Sequence, residues 1–436
     1  MDDIKNKNAS VGVIGLGYVG LPLALNFCKA GFSVSGFDVD EHKVEQLIGG
    51  QSYINYIPNE QILEANSSGR FKSTSNFGEL QKLDVIIICV PTPITKTKKP
   101  DLRFIEATAQ KISGLLRTGQ LIILESTTYP GCSELVLKPI LEKSGLVSGE
   151  DFYLAYSPER VDPGNKEFQS IDIPKIVGGD GEHALEVSSL LYKKVFNSIV
   201  PVSSMDTAEA AKLTENIFRS VNIALVNELK VIFSKMGVDI WEVIEAAQTK
   251  PFGFMPFYPG PGLGGHCIPV DPFYLSWRAR ELGAVSEFVE LSGKINTSMP
   301  ERVVSALILG LKNEFKKSIS NARVLVLGLA YKRNVDDTRE SPSFVIIKSL
   351  ETKGAVVDYF DEHVPAIPKT RDHLELEGRE SIIWDLNSLS SYDAVLICTD
   401  HDNLPYRDIA EHSKLVIDTR NVMGRLSIKS SNVIKA

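Results

Sequence analysis

Cysteine, positive charge and long apolar runs are all scarce in this sequence. Five scattered cysteines in 436 residues make no disulfide framework, and they predict a reducing compartment, the cytoplasm. No uninterrupted apolar stretch reaches membrane length, and the polar start MDDIKNKNAS predicts no signal peptide. With 47 Lys and Arg against 55 Asp and Glu, the net charge of −8 argues against nucleic acid or an acidic membrane as the main partner. A small molecule is the expected ligand.

The two ends of the chain carry apolar segments in the same order. The N-terminal set is VGVIGLG, FSVSGFDVD, LDVIIICVPTP and QLIILESTT, and the C-terminal set is ARVLVLGLA, AVVDYFDE, YDAVLICTDHD and KLVIDTRN. Both sets predict parallel α/β units. Residues 206–237 have apolar positions at helical spacing, which predicts one long helix. We therefore expect an α/β fold: two Rossmann-like, doubly wound domains at 1–205 and 318–436, joined by the long helix and a helical middle domain at 206–305.

The segment VGVIGLGYVGLPLA contains a glycine pattern that suits a dinucleotide. Gly15, Gly17 and Gly20 form G-x-G-x-x-G after an apolar strand and before a helical run, where a pyrophosphate can approach a helix N-terminus. Asp38 closes the next strand, where a carboxylate binds ribose hydroxyls and repels a 2′-phosphate, so NAD is preferred over NADP. The alternative is a tight turn without a ligand. The C-terminal counterpart keeps Gly328 but lacks the later glycines, so it should bind something other than a dinucleotide.

A polar face is predicted on the long helix. Glu209, Lys212 and Asn216 are spaced i, i+3 and i+7 and therefore lie on one side of the helix. If this side is solvated, the stripe has no function. If it faces bound NAD, Lys212 and Asn216 can hold an oxygen whose charge changes during hydride transfer.

Two loops carry polar side chains at the carboxyl edge expected for the first sheet. The loop ESTTYPG (125–131) contains Thr127, and the loop YSPERVDPG (156–164) contains Glu159. Ligands of open α/β sheets bind at that edge. Taken alone, each loop is equally well a plain connection.

One cysteine follows a run of glycines in GPGLGGHCIPVDP, residues 260–272. Glycines before Cys267 leave the backbone open to a ligand. The following segment predicts a helix with Asp271 as its N-cap and Pro272 at the first helical position. A thiol near a helix N-terminus can have its pKa lowered and become a better nucleophile. The alternative is a buried structural cysteine.

Six segments together are more specific than any one of them. In order they are GLGYVGLPLA, ESTTYPG, SPER, AAKLTEN, GPGLGGHCIPVDP and YKRNVDDTRESPS, and they span nearly the whole chain. This combination resembles the UDP-glucose/GDP-mannose dehydrogenase family, the nucleotide-sugar 6-dehydrogenases. SPER and GGHC…VDP resemble its UDP-N-acetylhexosamine branch, and residues 258–283 resemble most the UDP-N-acetylglucosamine enzymes.

The resemblance implies a four-electron oxidation of the C6 alcohol of a UDP-sugar to a carboxylate, using two NAD. Cys267 would form a thiohemiacetal and then a thioester, which water hydrolyses. Lys212 and Asn216 would stabilise the oxyanion, while Thr127 and Glu159 would position water and assist proton transfer. Asp271 would tune Lys212 or act in hydrolysis, unless it is mainly an N-cap. The product would serve surface polysaccharide synthesis.

The resemblance also implies a UDP-binding C-terminal domain and a homodimer built on the central helices, with the loop FGFMPFYPGPG near the neighbouring subunit's site. Tyr331 and Lys332 would contact the nucleotide sugar, and Arg339 would reach the cofactor. We expect no metal. The remaining candidates are, for the cofactor, Tyr18, Val19, Thr92 and Thr127, and for the substrate, Glu159, Arg160, Lys212, Asn216, Tyr258 and Gly264.

Alternative functions stay open at this point. UDP-N-acetylmannosamine, UDP-N-acetylgalactosamine and UDP-glucose are alternative substrates. A single-step β-hydroxyacid dehydrogenase also pairs a Lys and an Asn on a helix, but it has no use for Cys267 or a second α/β domain. A silent NAD- or nucleotide-binding regulator would not need Lys212, Asn216, Glu159 and Cys267 together.

Overall fold

The chain divides by packing into two compact units, Met1–Glu215 with Phe273–Val285, and Asn216–Pro272 with Ser286–Ala436. The computed structural model describes residues 1–54, 56–95, 97–160, 169–265 and 267–436. The three-part division expected from the sequence stays a prediction. In the described part of the chain, no helix is both long enough and apolar enough to cross a membrane.

The first unit is built on an eight-stranded sheet. Its strands are β1 (Ser10–Ile14), β2 (Ser33–Phe37), β3 (Phe71–Thr74), β4 (Val85–Ile88), β5 (Leu121–Leu124), β6 (Tyr153–Tyr156), β7 (Lys175–Gly179) and β8 (Ile199–Val202). They lie in the order β3-β2-β1-β4-β5-β6-β7-β8, and only the β6–β7 pair is antiparallel among these strands. β4 (VIII) and β5 (LIIL) are buried throughout, as expected for parallel strands covered on both faces. The run β3 to β6 has the Rossmann order, with its switch point between β1 and β4.

Helices α1 to α7 cover this sheet: α1 (Asp2–Lys5), α2 (Gly20–Ala30), α3 (Glu41–Ile48), α4 (Asn59–Ser67), α5 (Arg103–Ser113), α6 (Lys138–Leu141) and α7 (Glu182–Tyr192). The predicted long helix is present as α8 (Met205–Met236), and it passes from the first unit into the second. The helices that follow are α9 (Ile240–Ala247), α10 (Asp271–Glu281), α11 (Glu287–Phe315), α12 (Pro342–Thr352), α13 (Tyr406–His412) and α14 (Val422–Arg425).

The second unit contains a five-stranded parallel sheet. Its strands are β9 (Arg323–Leu327), β10 (Val356–Phe360), β11 (Ala394–Ile397), β12 (Val416–Asp418) and β13 (Val433–Lys435). Their order, β10-β9-β11-β12-β13, is the other common doubly wound arrangement. The predicted fold class is confirmed: two α/β units with a long helix and a helical region in the middle of the chain.

Candidate functional site

The glycine-rich turn after β1 has two glycines that the fold requires and one that it does not. Gly15 has φ +90, and a Cβ there would overlap the carbonyl oxygen of Cys89. A Cβ at Gly20, the first residue of α2, would overlap the carbonyl oxygen of Gly15. At Gly17, however, no atom lies within 4 Å of the position a Cβ would take. A ligandless turn explains two of the three glycines, whereas a pyrophosphate at the N-terminus of α2 explains all three.

Asp38 lies where the ribose of a bound dinucleotide is expected. Its carboxylate follows β2, is buried, and accepts the N–H groups of Leu16 and Asp40, each at 3.0 Å. Each carboxylate oxygen has a further lone pair for a hydroxyl. A cavity of about 440 Å³ adjoins the turn, and its lining is Gly17, Tyr18, Asp40, His42, Lys43, Gln46, Tyr53 and Ile54. These residues fit the adenosine half of NAD. When bound, NAD would supply a hydride acceptor through its nicotinamide.

Two tyrosines that sequence reasoning missed hold this turn. The Tyr53 hydroxyl donates to the carbonyl of Leu16 at 2.5 Å, and the Tyr56 hydroxyl donates to that of Tyr18 at 3.1 Å. The two carbonyls on either side of Gly17 are thereby fixed. Tyr53 and Tyr56 lie far from the glycines in sequence, and no local signal links them.

The other cofactor candidates lie in the same unit. Val19 is the residue that precedes α2. Thr92 is buried in the segment after β4, and its carbonyl accepts the hydroxyl of Tyr274 at 2.9 Å. Thr127 is buried in the loop after β5. Since β1, β4 and β5 are parallel, these segments leave the sheet at the same carboxyl edge.

The polar face of α8 is buried, so the solvated stripe is excluded. Glu209, Lys212 and Asn216 are 0%, 8% and 8% exposed. The Glu209 carboxylate accepts bonds from the loop that follows Thr127: from the Thr128 hydroxyl at 3.1 Å, the Gly131 N–H at 2.8 Å, and the Ser133 N–H and hydroxyl at 2.9 and 2.7 Å. Burial raises the pKa of Glu209 to about 7, although these four hydrogen bonds oppose the rise. Glu209 therefore anchors this loop to α8.

Glu159 follows β6 and belongs to a buried ionic cluster. Its carboxylate accepts from the ammonium of Lys175 at 3.0 Å, and Lys175 also donates to Glu125 at 2.8 Å. Burial lowers the pKa of Lys175, but the two carboxylates outweigh burial and raise it. Burial raises the pKa of Glu125. Lys175 and Glu125 were not predicted as site residues, because their pairing depends on the register of β5, β6 and β7.

Arg160 is held by protein groups. Its guanidinium forms a two-pronged ion pair with Glu215, at 3.1 and 2.6 Å, and donates to the Pro174 carbonyl at 2.8 Å. The predicted loop continues beyond Arg160 into residues 161–164, which lie outside the described residues.

In the second unit, the thiol of interest is exposed. All five cysteines are described and none forms a disulfide; Cys28, Cys132 and Cys398 are buried, Cys89 is half-buried, and Cys267 is exposed. The buried structural reading of Cys267 is therefore wrong. The Cys267 carbonyl accepts the N–H groups of Val270 and Asp271, at 3.1 and 2.8 Å, directly before α10. This places the residue at a helix N-terminus.

The predicted cap of α10 is displaced by one residue. The helix begins at Asp271 itself, so Pro272 is its second residue. The physical reason is the turn from Cys267, which already supplies the carbonyl that accepts the Asp271 N–H. The fully buried Asp271 carboxylate accepts from the amide of Asn216 at 2.7 Å. Two predicted catalytic residues are thus in direct contact.

The glycines before Cys267 pack against Tyr331. A Cβ at Gly264 would lie 2.5 Å from the Tyr331 Cβ, and one at Gly265 would lie 2.9 Å from its ring. The Gly265 N–H donates to the Arg339 carbonyl at 2.9 Å. Three separately predicted residues, Gly264, Tyr331 and Arg339, therefore meet in this unit, and Lys332 follows directly.

Two candidates are engaged by nearby acids. The Arg339 guanidinium pairs with Asp337, with its Nε at 2.9 Å from Oδ1. Tyr258 is exposed, and its hydroxyl donates to Glu245 at 2.8 Å.

In the second unit, an aspartate occupies the place that Asp38 has in the first unit. A histidine packs against this aspartate where a ribose would otherwise bind. Asp361 follows β10 as Asp38 follows β2, and it accepts the N–H groups of Leu329 and Ala330 at 2.6 and 2.9 Å. It is fully buried against His401, whose Nε2 lies 3.1 Å from the carboxylate. A dinucleotide ribose has no access there, which agrees with the prediction that this domain binds a different ligand.

Comparison with known proteins assigns the class and then the family. Models of three domains match this chain: an NAD binding domain at residues 9–196, a central domain at 206–298 and a UDP binding domain at 325–425. The protein is thus an NAD-dependent nucleotide-sugar dehydrogenase. All three models describe one family, and the chain belongs to it: the UDP-glucose/GDP-mannose dehydrogenase family.

Relatives align over almost the whole chain. A UDP-N-acetyl-D-glucosamine 6-dehydrogenase of Pseudomonas aeruginosa is 38% identical over 397 residues, 91% of each chain. A UDP-N-acetyl-D-mannosamine dehydrogenase of Pyrococcus horikoshii is 34% identical over 421 residues, 95% of this chain and 96% of that one. A solved structure of UDP-D-ManNAc dehydrogenase from Pyrococcus horikoshii superimposes with a TM-score of 0.85 and 32% identity, covering 94% of this chain and 95% of the other.

Proposed function

We propose that this enzyme oxidises the C6 alcohol of a UDP-N-acetylhexosamine to the carboxylate in two steps, with two NAD. The observation that carries the proposal is the exposed Cys267 at the N-terminus of α10. A single oxidation to an aldehyde needs no thiol. A second hydride can leave only from a tetrahedral carbon, so the aldehyde must first gain a nucleophile.

The atoms balance as follows. The alcohol loses a hydride and a proton and becomes an aldehyde; the Cys267 thiolate adds to its carbon, and the oxyanion gains a proton to give a thiohemiacetal. Loss of a second hydride and that proton gives a thioester. Water then replaces the sulfur, releasing the carboxylate and the free thiol.

The polar residues divide this work. Lys212 and Asn216 stabilise the oxyanion, and Asp271 fixes the Asn216 amide through the 2.7 Å bond. Thr127 and Glu159 position water and assist proton transfer. Asp271 also tunes Lys212 or acts in hydrolysis.

Further residues bind the two ligands. We assign the glycine turn, with Tyr18, Val19, Thr92 and Thr127, to NAD, together with Arg339. We assign Tyr331 and Lys332 to the nucleotide sugar, with Arg160, Tyr258 and Gly264. The packing of Gly264 against Tyr331 supports a common role for these two residues.

UDP-N-acetylglucosamine is our proposed substrate. The Pseudomonas aeruginosa relative that is named for this sugar is 38% identical, against 34% for the Pyrococcus horikoshii relative that is named for the manno epimer. NADH formation with a panel of UDP-hexoses and UDP-N-acetylhexosamines tests this choice. A kcat/KM for UDP-N-acetylmannosamine, UDP-N-acetylgalactosamine or UDP-glucose above that for the gluco epimer would contradict it.

Product stoichiometry tests the two-step oxidation. Wild type should yield two NADH and one uronic acid per sugar, whereas Cys267→Ala should lose the second oxidation. The variant should still reduce the UDP-aldehyde with NADH, because that hydride transfer needs no sulfur. Uronic acid formed by Cys267→Ala at near wild-type rate would make the cysteine structural. One NADH per sugar in wild type would indicate a single-step dehydrogenase, and none would indicate a silent binding protein.

We also propose a homodimer built on the central helices. Large apolar side chains are exposed along α8 at intervals of seven and four residues: Phe218, Leu225, Ile232 and Met236. Such a stripe is typical of a helix that packs on another. Leu225→Glu should halve the mass measured by sedimentation, whereas Ile383→Glu, at another exposed apolar residue, should not. An unchanged mass for Leu225→Glu would contradict this interface.

We place the enzyme in the cytoplasm, in the synthesis of a surface polysaccharide precursor. None of the five cysteines forms a disulfide, which supports a reducing compartment.

A further inference from the structure

A buried cation joins two carboxylates in the first unit. Lys175, in β7, is 3% exposed. Its ammonium donates to Glu125 at 2.8 Å and to Glu159 at 3.0 Å. Glu125 follows β5 and Glu159 follows β6, so three neighbouring strands each contribute one member. This cluster contains two carboxyl groups and one ammonium.

The cluster fixes both carboxylates in orientation. One oxygen of Glu159 accepts from Lys175, and the other accepts the N–H of Arg160 at 3.0 Å. One oxygen of Glu125 accepts from Lys175, and the other accepts the hydroxyl of Tyr192, on α7. Lys175 is thus a cationic partner of Glu159, and the Glu125 carboxylate accepts from the same ammonium.

Other charged and titratable groups face the cluster from the packed elements. The half-buried Cys89, after β4, lies within reach of the charges of Glu125, Lys175, Glu159 and Lys212, and desolvation raises the pKa of its thiol well above the ordinary value. The Tyr192 hydroxyl, on α7, donates a hydrogen bond to Glu125. Arg160 follows Glu159 in the chain, and its guanidinium forms an ion pair with Glu215. Among the described residues, Lys212 is a further cation close to the cluster, since its charge also acts on Cys89; the proposed mechanism uses Lys212 for the oxyanion.

We propose that Lys175 is a positioning residue for Glu159: it fixes the direction of the carboxylate and holds it ionised, ready to orient water and accept a proton. This inference rests on the function proposed above for Glu159. Lys175 donates to both carboxylates and lies over the rings of Tyr192 and Phe196, so we assign it to positioning rather than to substrate contact. Glu125 sets the strength of the effect, because it competes for the same ammonium.

Three variants separate charge from packing. Lys175→Met removes the cation and should raise the pH at which Glu159 ionises by about 1 to 3 units, the usual effect of losing an adjacent opposite charge. Lys175→Arg keeps the charge and should restore the wild-type value. Glu125→Gln removes the competing carboxylate and should shift the ionisation of Glu159 the other way, to lower pH. Lys193→Met, at an exposed lysine of the same unit, is the control.

Two readouts on the full-length enzyme follow Glu159. The first is the acidic limb of the pH profile of kcat. The second is the carboxylic-acid band in infrared pH-difference spectra without substrate, identified as the band that Glu159→Gln lacks. Opposite shifts for Lys175→Met and Glu125→Gln in both readouts support the proposal. If the limb and the band stay where they are in wild type, while only stability or overall rate falls, Lys175 is merely structural and the proposal is overturned.

The two proposals can fail separately. If wild type oxidises no UDP-sugar, the proposed function fails, and the infrared titration still decides whether Lys175 controls Glu159. If wild type is active and Glu159→Gln is not impaired, Glu159 has no catalytic part and the inference falls with it. If Lys175→Met does not fold, the downward shift expected for Glu125→Gln carries the test, and its absence overturns the proposal.

Discussion

Replacing Lys230 by methionine should stabilise the second unit. Lys230 lies on α8, and its side chain is 9% exposed. Burial, together with the like charge of Arg420, lowers its pKa from 10.5 to about 8, and Asp418 opposes this shift. The ammonium also lies 5.5 Å from the centroid of the Trp241 ring.

The size of the effect follows from proton linkage. At 1.36 kcal/mol per pKa unit, a fall from 10.5 to about 8 corresponds to about 3 kcal/mol of destabilisation. Between pH 8 and 10.5 the unfolded chain binds more protons than the folded one, so wild-type stability rises with pH in that window. Below pH 8 both states are protonated and the whole cost is present. Methionine keeps an apolar stem but loses about 1 kcal/mol of cation–π attraction, so the net gain at pH 7 is about 2 kcal/mol.

Urea unfolding of the ligand-free enzyme measures this effect. It is monitored by tryptophan fluorescence at pH 7, 8, 9 and 10. The gain from Lys230→Met should be largest at pH 7 and should shrink by up to about 1.4 kcal/mol per pH unit above pH 8. Lys235→Met, at an exposed lysine of the same helix, controls for loss of a surface charge. A Lys230→Met variant that is less stable than wild type at pH 7 would refute the reasoning, because the ammonium would then be well solvated or well paired.

Other consequences concern the cofactor and the chemical step. NAD should exceed NADP in kcat/KM by roughly 1,000-fold, since a 2′-phosphate near the Asp38 carboxylate costs about 4 kcal/mol at 4 Å in a partly solvated site; equal values would contradict this role. Lys212→Ala should lower kcat by about 10²–10³ with little change in KM, because an oxyanion partner acts in the transition state; a raised KM with unchanged kcat would show that Lys212 only binds. Gly17→Ala should keep its fold but lose NAD affinity by calorimetry, because its Cβ has open space until the cofactor is bound. Gly20→Ala should also lose thermal stability, because its Cβ overlaps the Gly15 carbonyl; equal melting temperatures for the two variants would show that the turn can relax.

Local rules were sufficient for several features. Gly15, Gly17 and Gly20 have fixed spacing within one turn, and Asp38 closes the next strand, so each could be recognised without the tertiary structure. The long helix could also be predicted, because its apolar period persists for nine turns. It was expected at 206–237 and is present as Met205–Met236. Shorter elements escaped: β6 (YLAY) and β8 (IVPV) are too brief and too weakly patterned to be recognised.

Side-chain partners across the sheet could not be predicted. Lys175 stands in the segment PKIVGG, which by itself indicates a strand with one surface lysine. Its partners lie 50 and 16 residues away and are reached only because β5, β6 and β7 pair in a fixed register. The role of Glu209 was hidden in the same way, since its four hydrogen bonds come from a loop that only the packing of α8 brings within reach.

The sequence by itself determined the fold class, the family and the cofactor, because glycine spacing, strand composition and helical period are properties of neighbouring residues. It could not determine whether Cys267 is buried or exposed, whether the face of α8 that carries Glu209 is solvent-exposed or buried, or where α10 begins. Only the tertiary structure decided these points, since burial and ionisation depend on which distant groups share the same space. The alternative of a buried Cys267 and a solvated helix face was consistent with every local pattern, and it failed when the chain was packed.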